Sequence, residues 1–203
     1  MTVDQPIASG SCGSVVPLAA HHLDELYVLE AGPDRFVDWR FKGLSPVPNE
    51  FASASMGCWS ACAVLDRDGA LAGAITLDRY RPEEATAELA VVAAPGSARV
   101  LVMAGAVGIV AAALDRRLTA VYLHTTEYQE PVRTMLLRRF RLEVHRIQSE
   151  WHRGRYWDSY VFRIDRADRR DRLARVAERA ASMAAIDPAC LHGLDGPTLH
   201  PAP

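Results

Sequence analysis

The apolar positions of the chain change period several times, and each change marks an element. Residues 14–20 (SVVPLAA) read as a short strand whose proline suits an outer edge. Residues 21–31 set Leu23, Leu26, Tyr27 and Glu30 at helical spacing, and Gly32-Pro33 ends that helix. A second short helix opens at Pro48-Asn49-Glu50-Phe51 and stops at Gly57. From Cys58 alternation takes over. Cys58, Ser60, Cys62 and Val64 share one face, Asp66-Arg67-Asp68-Gly69 turns the chain, and residues 70–77 return as a hairpin partner. Another turn, Arg81-Pro82-Glu83-Glu84, leads into a strand over 85–94. Pro95-Gly96-Ser97 breaks that strand, and Ser97 is a fair cap for the apolar helix that runs to about Arg117. A strand over 120–126 follows, then a helix between Pro131 and Phe140 with Val132, Met135 and Leu136 on one side. Two long strands, 141–151 and 156–164, are joined by His152-Arg153-Gly154-Arg155.

The two ends carry weaker patterns. Residues 1–13 are small, polar and broken by glycine, and read as a flexible lead-in. Residues 166–186 alternate charge around a thin stripe of Leu173, Val176, Ala180 and Met183, which predicts a solvent-facing or contact helix, with an assembly role as one reading. Residues 187–203 have no period and read as a flexible tail. Between the ends, the order is strand, two helices, three antiparallel strands, helix, strand, helix, two strands. That order predicts a mixed α/β (α+β) fold with a central sheet of about six to seven strands rather than a doubly wound parallel sheet.

Composition narrows the function. With 203 residues, 49% apolar and 24% charged, the chain can bury one domain's core. Its formal net charge of −2 leaves no basic surplus for a nucleic-acid backbone or an anionic membrane. Lys42 is the only lysine, and the Arg and Ala excess reads as a GC-rich bacterial source. Cys12, Cys58, Cys62 and Cys190 lack metal-finger spacing, and residues 1–20 lack a secretory pattern, so a reduced, cytoplasmic protein without a metal is expected. The longest apolar run, 100–114, is too short to cross a bilayer comfortably and reads as a buried helix.

One junction is chemically suggestive: a strand, a Pro-Gly-Ser-Ala break and a long helix. Unbonded amides and the dipole at a helix start favour an anion. Several phrases occur in one order: Trp39-Arg40-x-x-Gly43 with Pro48-x-Glu50-Phe51, Ala63-Val64-Leu65-Asp66 with Leu71-Ala72-Gly73, Ala87-Glu88-Leu89-Ala90-Val91-Val92, the long helix, Val121-Tyr122-Leu123 and Arg153-Gly154-Arg155-Tyr156-Trp157-Asp158. Over residues 14–166 this order resembles the GNAT superfamily of N-acetyltransferases, in the subgroup acting on ribosomal-protein N-termini and small amines. The resemblance implies a V-shaped cleft between splayed strands and acetyl-CoA as the acyl donor. It implies direct attack of an amine of a small molecule or protein N-terminus on the thioester. It also implies pantetheine pairing along Leu89, Ala90, Val91 and Val92, with the pyrophosphate wrapped by Gly96, Ser97, Ala98, Arg99 and Val100. The family's Arg/Gln-x-x-Gly-x-Gly/Ala loop is degenerate here, since one glycine, Gly96, stands in Ala94-Pro95-Gly96-Ser97-Ala98-Arg99-Val100. A binding or regulatory protein that has lost the chemistry is therefore the alternative.

Individual residues carry paired readings. Glu88 is the candidate general base, or a carboxylate on the solvent side of its strand. Tyr128 is a candidate proton donor to the leaving thiolate, or helix packing. Arg99 is a phosphate contact or a surface arginine. His124, near the thiolate end, is a minor candidate. Trp39, Arg40 and Phe41 line the acceptor side or pack the short helices. Asp158 pairs with an acceptor ammonium or a surface cation. Acyl chain length and acceptor are not legible, and a homodimer is the assembly left open.

Overall fold

The structure, a computed structural model, describes residues 6–31, 51–53, 55, 57–94, 98–127, 130–152, 154–168, 172–173 and 175. Eight strands form one sheet: β1 (Ala8–Gly10), β2 (Gly13–Pro17), β3 (Ser60–Asp66), β4 (Leu71–Arg81), β5 (Thr86–Ala93), β6 (Ala120–Thr126), β7 (Arg141–His152) and β8 (Arg155–Asp165). Their order across the sheet is β1-β2-β3-β4-β5-β6-β8-β7. Every neighbouring pair is antiparallel except β5 and β6. Among the described residues three α-helices have both ends defined, α1 (Leu23–Ala31), α2 (Ala98–Arg116) and α3 (Glu130–Leu137), and residues 51–53, 55, 172–173 and 175 are helical as well. The mixed fold expected from the element order is present, with eight strands rather than six or seven. The eighth is β1. Residues 8–10, expected within a loose lead-in, pair with β2 from Ala8↔Val15 to Gly10↔Gly13, because the Ser11-Cys12 turn folds them back.

Alternation divides the sheet's side chains between two cores. On one face, α2 lays Leu101, Ala104, Ile109 and Val110 on Val15, Val64, Ile75, Leu77 and Leu89. Glycine permits the close approach: a Cβ on Gly105 would meet Ile75 Cδ1 at 3.0 Å and Val15 Cγ2 at 3.1 Å. On the other face, Leu26 of α1 and Phe51 cover Val16, Leu18, Ala63, Ala74 and Val92. Tyr27 meets Phe51 edge-to-face at 5.4 Å. His22, expected only to begin a helix, is buried, and its Nδ1 accepts the Ala19 amide at 3.1 Å. Length and composition alone would let α2 cross a membrane, but 67% of its apolar window is buried inside the protein.

The far end of α2 is tied down by one side chain. Arg166 donates from Nε to the Leu114 carbonyl at 2.7 Å and from a terminal nitrogen to the Leu118 carbonyl at 2.9 Å. A cation there satisfies acceptors and opposes the dipole. Beyond it, Leu173 of the predicted contact helix is buried in the main core, and Arg172 donates to the Arg139 carbonyl. Val176, Ala180, Met183, Cys190 and the tail lie outside the described residues.

Strands β7 and β8 extend as a long hairpin. Asp158 organises it, accepting from the Gln148 amide at 2.9 Å and bonding His145 Nε2 at 2.7 Å. Gln148 has φ +49° in the irregular stretch between Arg146 and Glu150. The Gln148 amide, then the His145 hydrogen bond, hold the Asp158 carboxyl below the usual carboxylate range.

Two expectations follow. A Cβ on Gly73 would stand 2.1 Å from the Val92 carbonyl oxygen and 2.8 Å from Val102 Cγ2. Gly73→Ala should therefore cost about 2 kcal/mol, read as a lower urea midpoint, because backbone on the neighbouring strand must move. For Asp158, the lowered folded pKa makes its stabilisation complete above the ordinary carboxylate range and lost as pH falls through the folded value. Melting temperatures of wild type and Asp158→Asn should differ at neutral pH and converge in acid. A constant gap would refute that linkage.

Candidate functional site

Strand β5 reaches β6 only because α2 carries the chain across, and the parallel register lasts four residues: Thr86↔Ala120, Ala87↔Val121, Glu88↔Tyr122 and Leu89↔Leu123. Beyond Leu89 and Leu123 the strands part. Each keeps its other neighbour, β5 pairing with β4 through Ala93↔Gly73 and β6 with β8 through Thr126↔Ser159. The gap is thus a fork with two strand-backed walls.

Two backbone bonds at each wall fix which groups face the fork. The Ala94 amide donates to Ala72 on β4, whereas the Ala85 carbonyl accepts from Thr119 on the β6 side. Alternation then turns the backbone groups of Ala90 and Val92 to β4 and those of Val91 and Ala93 to the fork. On the other wall, Glu127 donates to Asp158 and Thr119 accepts from Arg166, both on the β8 side. His124 and Thr126 consequently turn their backbone groups to the fork. Of the expected segment 89–92, Val91 has this orientation beyond the last paired position, and so does Ala93, which lies outside that segment.

The expected site residues divide by location. Glu88 lies on β5 one position before the last paired residue, its side chain 22% exposed. Its carboxylate accepts from Arg79 at 3.1 and 3.4 Å and stands 3.4 Å from His124 Nε2. Neither partner was assigned to it from sequence. Arg79 is brought there by a bulge in β4, where it has φ +46° and donates its amide to Asp78 Oδ1 at 2.7 Å. His124, the first β6 residue beyond the paired register, has a side chain 43% exposed. The pair Glu88 and His124 therefore marks the base of the fork.

The helix side is arranged differently. Leu89, Val92 and Val100 are buried, and their side chains pack in the cores. Ala90, Val91 and Ala98 are half-buried. Helix α2 begins at Ala98, four residues after Ala94, so its first-turn amides lack partners within the helix. Arg99 lies in that turn and is exposed to solvent. Gly96, Ser97, Tyr128, Trp39, Arg40 and Phe41 lie outside the described residues. Asp158 is bound to His145, while Arg155 stacks over Trp157 at 3.2 Å. Cys62 is buried in the core with its thiol pushed up to about 11 by burial, which makes it packing rather than a nucleophile.

Across the fork's lower rim the sheet carries a row of polar residues on the face away from α2. Register aligns Asp78, Glu88, Tyr122, Arg163 and Arg141 on five strands. Arg163 donates to Tyr122 at 3.2 Å and to Asp165 at 2.7 Å, while Arg141 pairs with Glu143 at 3.2 Å. Among the described residues, no three His, Cys, Asp or Glu side chains converge as a metal site.

No protein-family profile and no curated relative matches the chain. Solved structures do. A spermidine N-acetyltransferase from Vibrio cholerae in complex with CoA and spermine superposes with a TM-score of 0.65 at 18% identity, over 78% of this chain and 98% of that one. A GCN5-related N-acetyltransferase from Brucella melitensis gives 0.63 at 20% identity, over 85% and 83%. A dodecameric spermidine N-acetyltransferase from Vibrio cholerae gives 0.64 at 19% identity, over 80% and 98%. The chain has the fold of the GCN5-related N-acetyltransferases.

Proposed function

We propose that the protein transfers an acetyl, or related acyl, group from acetyl-CoA to an amine of a small molecule or protein N-terminus. The observation carrying this reading is the fork after Leu89 and Leu123, with Glu88 and His124 at its base. An extended thioester arm has backbone partners in Val91 and Ala93, as a strand would. Its diphosphate fits the first turn of α2, where Ala98, Arg99 and Val100 offer amides and Arg99 a guanidinium. Gly96 and Ser97 complete that loop in the proposal. Likeness to a structure solved with CoA and spermine supports both the donor and an amine acceptor.

The reaction needs a neutral amine beside the thioester carbonyl. Glu88 is the proposed proton acceptor, directly or through His124, which is more exposed and lies nearer the fork. Arg79 orients Glu88 by a two-point contact. The amine nitrogen bonds to the carbonyl carbon, the carbon–sulfur bond breaks, and the thiolate takes a proton, for which Tyr128 is the proposed donor. Holding both reactants in one gap supplies much of the acceleration. The site is proposed to work in a cytoplasmic bacterial protein.

Titration calorimetry should detect acetyl-CoA binding to the folded chain. Arg99→Ala should weaken it about tenfold, the value of one charge-assisted phosphate contact. Glu88→Gln should lower kcat by about 100-fold on an accepted amine while leaving acetyl-CoA affinity unchanged. Folded protein without acetyl-CoA affinity would overturn the reading.

A further inference from the structure

Glu88 stands between two arginines. On one side Arg79 of β4 bonds its carboxylate, and on the other Arg163 of β8 follows Tyr122 in the same register row. Glu88 and Arg163 are two strand spacings apart, about 10 Å. Their face of the sheet changes cover at the fork. Among the described residues, α1 and Phe51 lie over its β2-to-β5 part, whereas Tyr122, Arg163 and Asp165 are half-buried and His124 and Arg141 are exposed. Arg163 keeps 30% of its side chain in solvent, so a small molecule at the base of the fork can reach it.

Arg163 is held in one orientation. Its Nε donates to Asp165 at 2.7 Å and a terminal nitrogen donates to the Tyr122 hydroxyl at 3.2 Å. These bonds use two of the five N–H groups of a guanidinium and leave donors fixed in its plane. Asp165 lies two residues farther from the fork, opposite Ala120, so on β8 the guanidinium is the nearer charge. The carboxylates around it are engaged. Asp78 accepts the Arg79 amide, Glu88 accepts from the Arg79 guanidinium, and Glu143 pairs with Arg141. An acceptor with several ammonium groups would set its second cation against Arg79 or Arg163. One that carries a carboxylate meets donors already in place.

We propose that the acceptor is a small amine carrying a carboxylate within about 10 Å of its nitrogen, with the amine at Glu88 and His124 and the carboxylate on Arg163. This deepens the transferase reading and rests on it. It selects a zwitterion over a polyamine and over a protein N-terminus, and it makes Arg163 a specificity-determining residue away from the reacting atoms.

Titration calorimetry on the full chain saturated with CoA, which carries no acetyl group, separates recognition from chemistry. Alanylalanine as the free acid should bind at least about tenfold tighter than its C-terminal amide, and tighter than spermidine. Arg163→Gln should bring the acid-to-amide ratio close to one. Arg163→Lys should retain part of it, as a charge without the planar set of donors does. Far-ultraviolet circular dichroism checks the fold of each variant, and the wild-type ratio decides the matter where a variant does not fold. A wild type that binds the amide or spermidine as tightly as the acid would overturn the proposal, as would a folded Arg163→Gln protein that keeps the ratio. CoA binding without a preference for the acid removes the acceptor assignment alone. Failure of CoA itself to bind removes the transferase reading and this inference with it.

Discussion

The arrangement depends on a single parallel contact in an otherwise antiparallel sheet. Antiparallel pairing builds one block from β1 to β5 and a second from β6, β8 and β7. These two blocks meet only at β5 and β6. A parallel neighbour needs a crossover long enough to return to the starting edge, and α2 provides it. Four registered residues hold the blocks together at one end, and each block's own pairing holds the strands apart beyond it. A fork formed in this way leaves backbone groups at the gap while the neighbouring strands keep both walls rigid.

The polar face of the sheet answers a second constraint. A carboxylate in a half-buried strand position needs partners, and Glu88 has two on different neighbours, Arg79 from β4 and His124 from β6. Such a pair contributes little to stability when its guanidinium is largely in water. Its effect is positional. The bulged Arg79, held at a positive φ that non-glycine residues rarely adopt, carries about 1 kcal/mol of local strain in an arrangement whose visible result is a fixed Glu88 carboxylate.

Local pattern made much of this legible before any coordinates. The Asp66-to-Gly69 turn, the 85–94 strand, the apolar run after Ser97 and the 120–126 strand all fall within a few residues of the observed elements. Strand β1 was not legible, because Ala8-Ser9-Gly10 has neither alternation nor bulk, and it forms by pairing with β2 rather than from its own preference. The fork was expected only through likeness to a family. Which backbone groups face it depends on register against two neighbours, so Ala93 could not be distinguished from Val92 in a single string. Arg79 escaped for the same reason: nine residues separate it from Glu88, and a bulge directs it there.

The same logic explains why the two ends of the sheet differ. At the β1 end the edge strand is three residues long, too short to template another chain. At the β7 end it is twelve residues long, carries apolar side chains and leaves a ribbon unsupported beyond β6. Charges on an edge ordinarily discourage pairing with another chain. On β7 the charges are engaged within the strand, Arg141 pairing with Glu143 at 3.2 Å, while the apolar side chains beside them stay exposed.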